Sequence, residues 1–189
     1  MTRSWLIIGT AALALAASGC NGTKDDGGNA AAANGNAAGA EGKTIAASLD
    51  ANSKFVQATK AAGLDATLAG PGPYTVLVPS DDAFAKLPNG MADSLMKPES
   101  KAELTHVMTY HILPGTILVD DIGKAIDKGD GKTVLATMGG DTLTATKDGG
   151  NIVLTDSSGG KATLSGGDER ASNGVVHHVD AVLVPKKAA

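Results

Sequence analysis

Two stretches of the chain are apolar and β-branched enough to be strands covered on both faces. Tyr74-Thr75-Val76-Leu77-Val78 lies between Pro73 and Pro79, and Gly174 to Val184 reads GVVHHVDAVLV. The two are expected near each other at the centre of one small domain. Directly after the first, Ser80 offers an N-cap oxygen, and Asp81 and Asp82 bring negative charge to the positive end of a helix dipole. Ala83, Phe84 and Leu87 then carry an apolar stripe back toward the strand.

Helical spacing dominates the first half of the domain. Ile45 and Leu49 predict a short helix. Asn52 or Ser53 caps a second, with Phe55, Val56, Thr59 and Ala62 on one face and Gly63 as its stop. Leu64 to Leu68 predicts a further turn, and Gly70-Pro71-Gly72-Pro73 breaks it before the first strand. Met91 to Met96 reads as a short helix. Pro98 and Glu99 suit the first turn of the next one. In that helix Leu104, Val107, Met108, His111 and Ile112 share a face, and Pro114-Gly115 is the expected end. Asp120 to Ile126 predicts one more short helix.

The pattern then changes period. Thr133–Thr137, Thr142–Thr146, Ile152–Thr155 and Lys161–Leu164 are short and threonine-rich. Glycine turns separate them at Gly139-Gly140, Asp148-Gly149-Gly150, Gly159-Gly160 and Gly166-Gly167. This spacing predicts an antiparallel meander. Asn173-Gly174 turns into the last strand, and Pro185 ends it. Helices before residue 127 and strands after it indicate an α+β domain over residues 44–187, without internal repeats.

The N-terminus follows other rules. Arg3 precedes an uncharged apolar run from Trp5 to Ala17, too short for a stable membrane span, so residues 1–19 are expected to be a signal peptide. The run ends at Cys20, the single cysteine of the chain, which excludes an intrachain disulfide. Ala17-Ser18-Gly19-Cys20 resembles the lipobox of bacterial lipoproteins. The resemblance implies that Cys20 is acylated and becomes the first mature residue, with a membrane as partner through that anchor. Asn21 follows it, instead of the aspartate that resembles an inner-membrane retention signal, which points to an outer-membrane lipoprotein of the cell envelope, exported by the secretory route. Residues 20–43 then read as an anchor and flexible linker: Asn21 to Lys43 has no aromatic or large aliphatic residue to offset its ordering entropy. A glycine-rich chain of this length reaches roughly 25 Å.

The net charge of −4 leaves no basic footprint for nucleic acid. His106 and His111 are five apart on the predicted helix, and His177 and His178 are adjacent on a strand and face opposite ways, so no metal site is expected. Ser80, Asp81 and Asp82 read as a helix cap, and no nucleophile, base and orienting group assemble into a catalytic set. No cofactor is expected either. His111 is expected buried and hydrogen-bonded, with direct partner contact as the alternative. For Tyr110, packing and partner contact stay equally open.

Three motifs, in order, resemble the fasciclin domain family between about Thr44 and Pro185. Thr75-Val76-Leu77-Val78-Pro79-Ser80-Asp81-Asp82-Ala83-Phe84 is similar to its first box. Tyr110-His111-Ile112-Leu113-Pro114-Gly115 is similar to its central Tyr-His motif. Asn173-Gly174-Val175-Val176-His177-His178-Val179-Asp180-Ala181-Val182-Leu183-Val184-Pro185 is similar to its last box, with His178 at a usually apolar place. The resemblance implies a wedge of two β-sheets flanked by N-terminal short helices, used without catalysis for adhesion or protein interaction. Thr75, Pro79, Ser80, Asp81, Phe84, Asn173, Gly174 and His177 are its structural motif residues. In animal members the Tyr-His region and an Asp-Ile pair before the last box are implicated in integrin binding. Tyr110 and His111 carry over as partner-contact candidates; the pair does not, since Glu169 follows Asp168. A cell-surface, matrix or glycan partner is implied. The second reading is a periplasm-facing lipoprotein that binds a small ligand or glycan.

Overall fold

A computed structural model describes residues 42–88 and 90–186. The expected signal peptide, Cys20 and most of the linker lie outside the described residues. The domain is tied down from Lys43, whose carbonyl accepts the Ser172 N–H at 2.8 Å.

Three helices open it: α1 (Ile45–Ser48), α2 (Lys54–Ala62) and α3 (Asp65–Ala69). Ser53 caps α2 by accepting the Val56 N–H, and Gly63 ends it in the left-handed conformation, at φ 80°. Strand β1 (Tyr74–Pro79) follows, then α4 (Asp81–Ala85) and α5 (Met91–Leu95). Ser80 caps α4 by accepting the Ala83 N–H at 3.2 Å.

The next helix differs from the expectation at both ends. Pro98–Ser100 forms a 3-10 turn, and α6 runs over Lys101–Tyr110. His111 is its C-cap, and Ile112–Pro114 is a strand, β2, paired antiparallel with β1. The helical spacing of Leu104 to Ile112 describes which residues are buried, and Ile112 is buried either way. What decides is the neighbouring backbone: the Leu77 N–H donates to the His111 carbonyl at 2.8 Å and recruits the chain to β1.

Helix α7 (Val119–Lys128) leads into the meander β3 (Lys132–Ala136), β4 (Thr142–Asp148), β5 (Asn151–Thr155), and then β6 (Lys161–Ala171) and β7 (Gly174–Val179). Strand β6 extends well past Leu164. The Gly166-Gly167 pair, expected as a turn, is a bulge inside it: between the Ser165–His178 and Glu169–Val176 pairs, three residues of β6 face one of β7. The last strand is shorter than expected and stops at Val179. Beyond it, side chains take the backbone N–H groups: His111 accepts that of Leu183, and Asp156 that of Val184.

The seven strands form one order, β2-β1-β7-β6-β5-β4-β3, with β1 and β7 adjacent as anticipated; the pair is parallel. Its halves share β6 and supply the two layers. On one face, Val76, Val78, Ile112 and Val176 pack with Phe55, Phe84 and Met108 of the helices. On the other, Leu77, Leu113 and Val179 meet Ile122 and Ile126 of α7 and Leu143 and Leu154 of the meander. The ends of the order are also linked, for the Met138 N–H donates to the Ile112 carbonyl at 2.8 Å.

Candidate functional site

The Tyr-His pair sits where α6 gives way to β2. Both side chains are fully enclosed. The Tyr110 hydroxyl donates to the Thr142 carbonyl at 2.9 Å and accepts the Ser157 N–H at 3.1 Å. Burial pushes its pKa up, so it keeps its proton. His111 Nδ1–H donates to the Val107 carbonyl at 2.8 Å, which leaves Nε2 as the acceptor for the Leu183 N–H at 3.1 Å. Phe55 meets the imidazole edge-on, with ring centroids 6.3 Å apart. Desolvation lowers the His111 pKa to about 4, against the raising effects of the Val107 hydrogen bond and the Asp156 charge. Neither residue offers surface to a partner. Burial corrects the idea of direct contact, because all their polar atoms are already used inside the domain.

The last box forms the second cluster. Asn173 accepts the Ile45 N–H at 2.8 Å and donates to the carbonyls of Leu68 and Gly70 at 2.9 and 2.7 Å. One side chain thus joins α1, α3 and the start of β7. Gly174 has no room for a side chain, since a Cβ there would run into the Tyr74 carbonyl. His177 and His178 do face opposite ways, the first buried and the second exposed. His177 Nε2–H donates to the Ile117 carbonyl at 2.7 Å. Its Nδ1 is buried without a hydrogen-bond partner among the described residues, 3.6 Å from Asp168 Oδ1. That same oxygen accepts the Val119 N–H at the head of α7.

The first box holds the frame around them. Thr75 Oγ1 donates to the Gly115 carbonyl and accepts the Ile117 N–H, at 2.7 and 2.8 Å. Pro79 closes the buried strand, and Phe84 packs in the helical core. Asp81 reaches beyond its own helix and accepts the Lys54 N–H at 2.9 Å, at the first residue of α2. Sequence reasoning missed that reach, and it missed Asp156. The buried Asp156 carboxylate takes the N–H groups of Ser158, Gly160 and Val184, at 2.9, 2.7 and 2.9 Å. The Asp-Ser-Ser-Gly-Gly sequence was the available signal, as aspartate commonly caps such turns.

This arrangement is a set of structural ties. Ser80 and Asp81 open α4 while His111 caps the end of α6, and each is engaged in hydrogen bonds of its own. Among the described residues no group of three or more His, Cys, Asp or Glu is placed to hold a metal ion. No described helix is long and apolar enough to cross a membrane. The remaining histidines lie against carboxylates near the surface, His106 Nε2 with Asp141 and His178 Nε2 with Glu169, at 3.1 and 3.2 Å.

Comparison with known proteins returns the same family as the motifs. The family model for the fasciclin domain matches residues 50–185. The chain is 38% identical over 141 residues to protein sll1483 of Synechocystis sp., covering 75% of this chain and 71% of that protein. It is 32% identical over 134 residues to the transforming growth factor-beta-induced protein ig-h3 of Sus scrofa, covering 69% of this chain but 17% of that protein. Among solved structures, a FAS1 domain pair from the insect cell adhesion molecule fasciclin I matches with a TM-score of 0.52 and 22% identity, over 69% of this chain and 44% of that one. That likeness is one of fold.

Proposed function

The chain belongs to the fasciclin domain family, and from that premise we propose that it is a lipid-anchored, non-catalytic interaction module of the cell envelope. The observation that carries the reading is the position of Cys20. The one cysteine of the chain ends an apolar leader and precedes a glycine- and alanine-rich linker, which itself precedes the domain. An acyl anchor of several chains holds a protein stably at a membrane, at about 0.8 kcal/mol per buried methylene. The linker then lets the domain stand off it. Adhesion, as in the insect molecule, is the role this placement favours. Partner contact falls to the exposed surface, while Tyr110 and His111 act through it by holding β2 and the Leu183 segment in place.

The test is protease shaving of intact cells carrying a tag after Pro185, with Cys20→Ser as control. Loss of the tag from intact cells, and release or mislocalisation of the control, supports a surface-displayed adhesion module. A tag that survives until the outer membrane is opened replaces it with the periplasm-facing reading. A control that remains membrane-bound removes the anchor from the proposal.

A further inference from the structure

A cavity of about 180 Å³ lies in the helical layer beneath α5, between α2, α4 and α6. Its inner wall is apolar: Leu104, Val107 and Met108 of α6, Phe84 of α4 and Val182. Ala58 and Ala92 present only methyl groups to it from α2 and α5, which keeps the space open. Met108 at its floor is fully enclosed, whereas Met96 at its edge is 42% exposed, so the space opens to solvent on the α5 side. Exposed Lys54, Gln57 and Asp93 border that opening.

We infer that this cavity binds a single-tailed amphiphile, with a medium-length alkyl chain inside and an anionic head at the mouth. An apolar space of this size gives water few partners, and its lining forfeits dispersion contacts while it stays empty. Counting one methylene as about a water's share of liquid volume, ~30 Å³, the space takes roughly six carbons. Two methionines line it, and their unbranched side chains adapt to a flexible tail. The head is assigned by charge. Lys54 has no salt bridge among the described residues, and Gln57, which also borders the mouth, gives one amide N–H to the Asn52 carbonyl at 2.8 Å and keeps the second. Asp93 also borders the mouth and repels an anion, which places the head on the Lys54 side. A sugar does not suit this wall, which offers its hydroxyls no hydrogen bonds below the rim. The site is independent of the Cys20 anchor and of the side of the membrane the domain faces.

The test is a titration of the purified full chain with sodium octanoate and, separately, with an eight-carbon lysophosphatidate, followed by the methyl NMR signals of methionine. Saturable shifts at Met96 and Met108, but not at Met138, which does not line the cavity, are expected with one or both. Response to octanoate alone identifies a free carboxylate amphiphile as the ligand, and response to the lysophosphatidate alone a phospholipid. Ala92→Leu fills the space and is expected to weaken binding about tenfold or more; Lys54→Gln is expected to bring octanoate down to the level of neutral octanol. No saturable shift at Met108 with either ligand overturns the site. So does undiminished binding to a folded Ala92→Leu chain. If that variant does not fold, the wild-type titration at Met108 decides alone.

Discussion

The imidazole of His111 and the backbone of Leu183 are hydrogen-bonded across 72 positions of sequence, with Nε2 accepting the Leu183 N–H at 3.1 Å. One histidine at the end of α6 thereby holds the segment that follows the last strand. Replacing it with alanine leaves that buried N–H without a partner and opens a space beside Phe55. His111→Ala is expected to lower stability by about 2–4 kcal/mol. Urea denaturation measures this, and a midpoint unchanged from wild type would show that the bond is not a support.

The same histidine makes stability depend on pH. Its pKa is about 4 in the folded domain, against an ordinary value of 6.5 in the unfolded chain. Below 6.5 the unfolded chain takes up the proton first, so stability is fully present above pH 6.5 and is lost as pH falls toward 4. At pH 5 the loss amounts to about 2 kcal/mol. Protonation would put an N–H on Nε2, facing the Leu183 N–H. Denaturation curves from pH 7 to 4, for the wild type and for His111→Asn, separate this contribution from those of the carboxylates. Parallel pH profiles would assign the dependence to other groups.

Asn173 satisfies three backbone groups with one amide. Asn173→Ala is expected to cost about 3 kcal/mol or more, and Asn173→Asp to be no rescue, because a carboxylate cannot donate to the carbonyls of Leu68 and Gly70. Hydrogen exchange should show α1 and α3 loosening first, since both hang on this side chain. Loss confined to β7 would mean that the two helices are held some other way.

Asp81 and Asp82 are neighbouring acids in the first turn of α4, yet only Asp81 accepts the Lys54 N–H. Asp81→Ala is expected to cost about 1 kcal/mol, as the loss of a helix cap does. Asp82→Ala removes only a charge at a helix end and should cost about half a kcal/mol or less. Thermal unfolding of the two variants compares them directly, and equal losses would reduce Asp81 to a dipole effect.

Filling the cavity beneath α5 offers a check on stability apart from any ligand. Ala92 is half-buried at its edge, so Ala92→Leu adds apolar burial without facing a packed wall. A gain of about 1 kcal/mol is expected from the added carbons, read from the urea midpoint. A loss would mean that α5 already sits as close to α2 as its backbone allows.

Much of this protein is local chemistry, and local chemistry is legible in order of residues. Ser53, Gly63 and Ser80 bound their helices because their side chains or conformations act within one turn, and the glycine pairs space the meander for the same reason. The adjacency of the Tyr74 and Gly174 strands was also legible, because two strands buried on both faces have to share the centre of so small a domain. What the tertiary structure decided are the places where a distant group competes for the backbone. The Leu77 N–H draws His111 and Ile112 out of the helix into pairing with β1. The side chains of His111 and Asp156 hold the residues after Val179 that their apolar pattern would place in a strand. The glycines after Ser165 bend β6 instead of ending it, since β7 supplies partners on both sides of the bulge. The candidate contact residues divide along the same line: the Tyr-His pair was visible as a motif, but its full enclosure depends on Thr142, Ser157 and Leu183, more than thirty positions away, being folded over it.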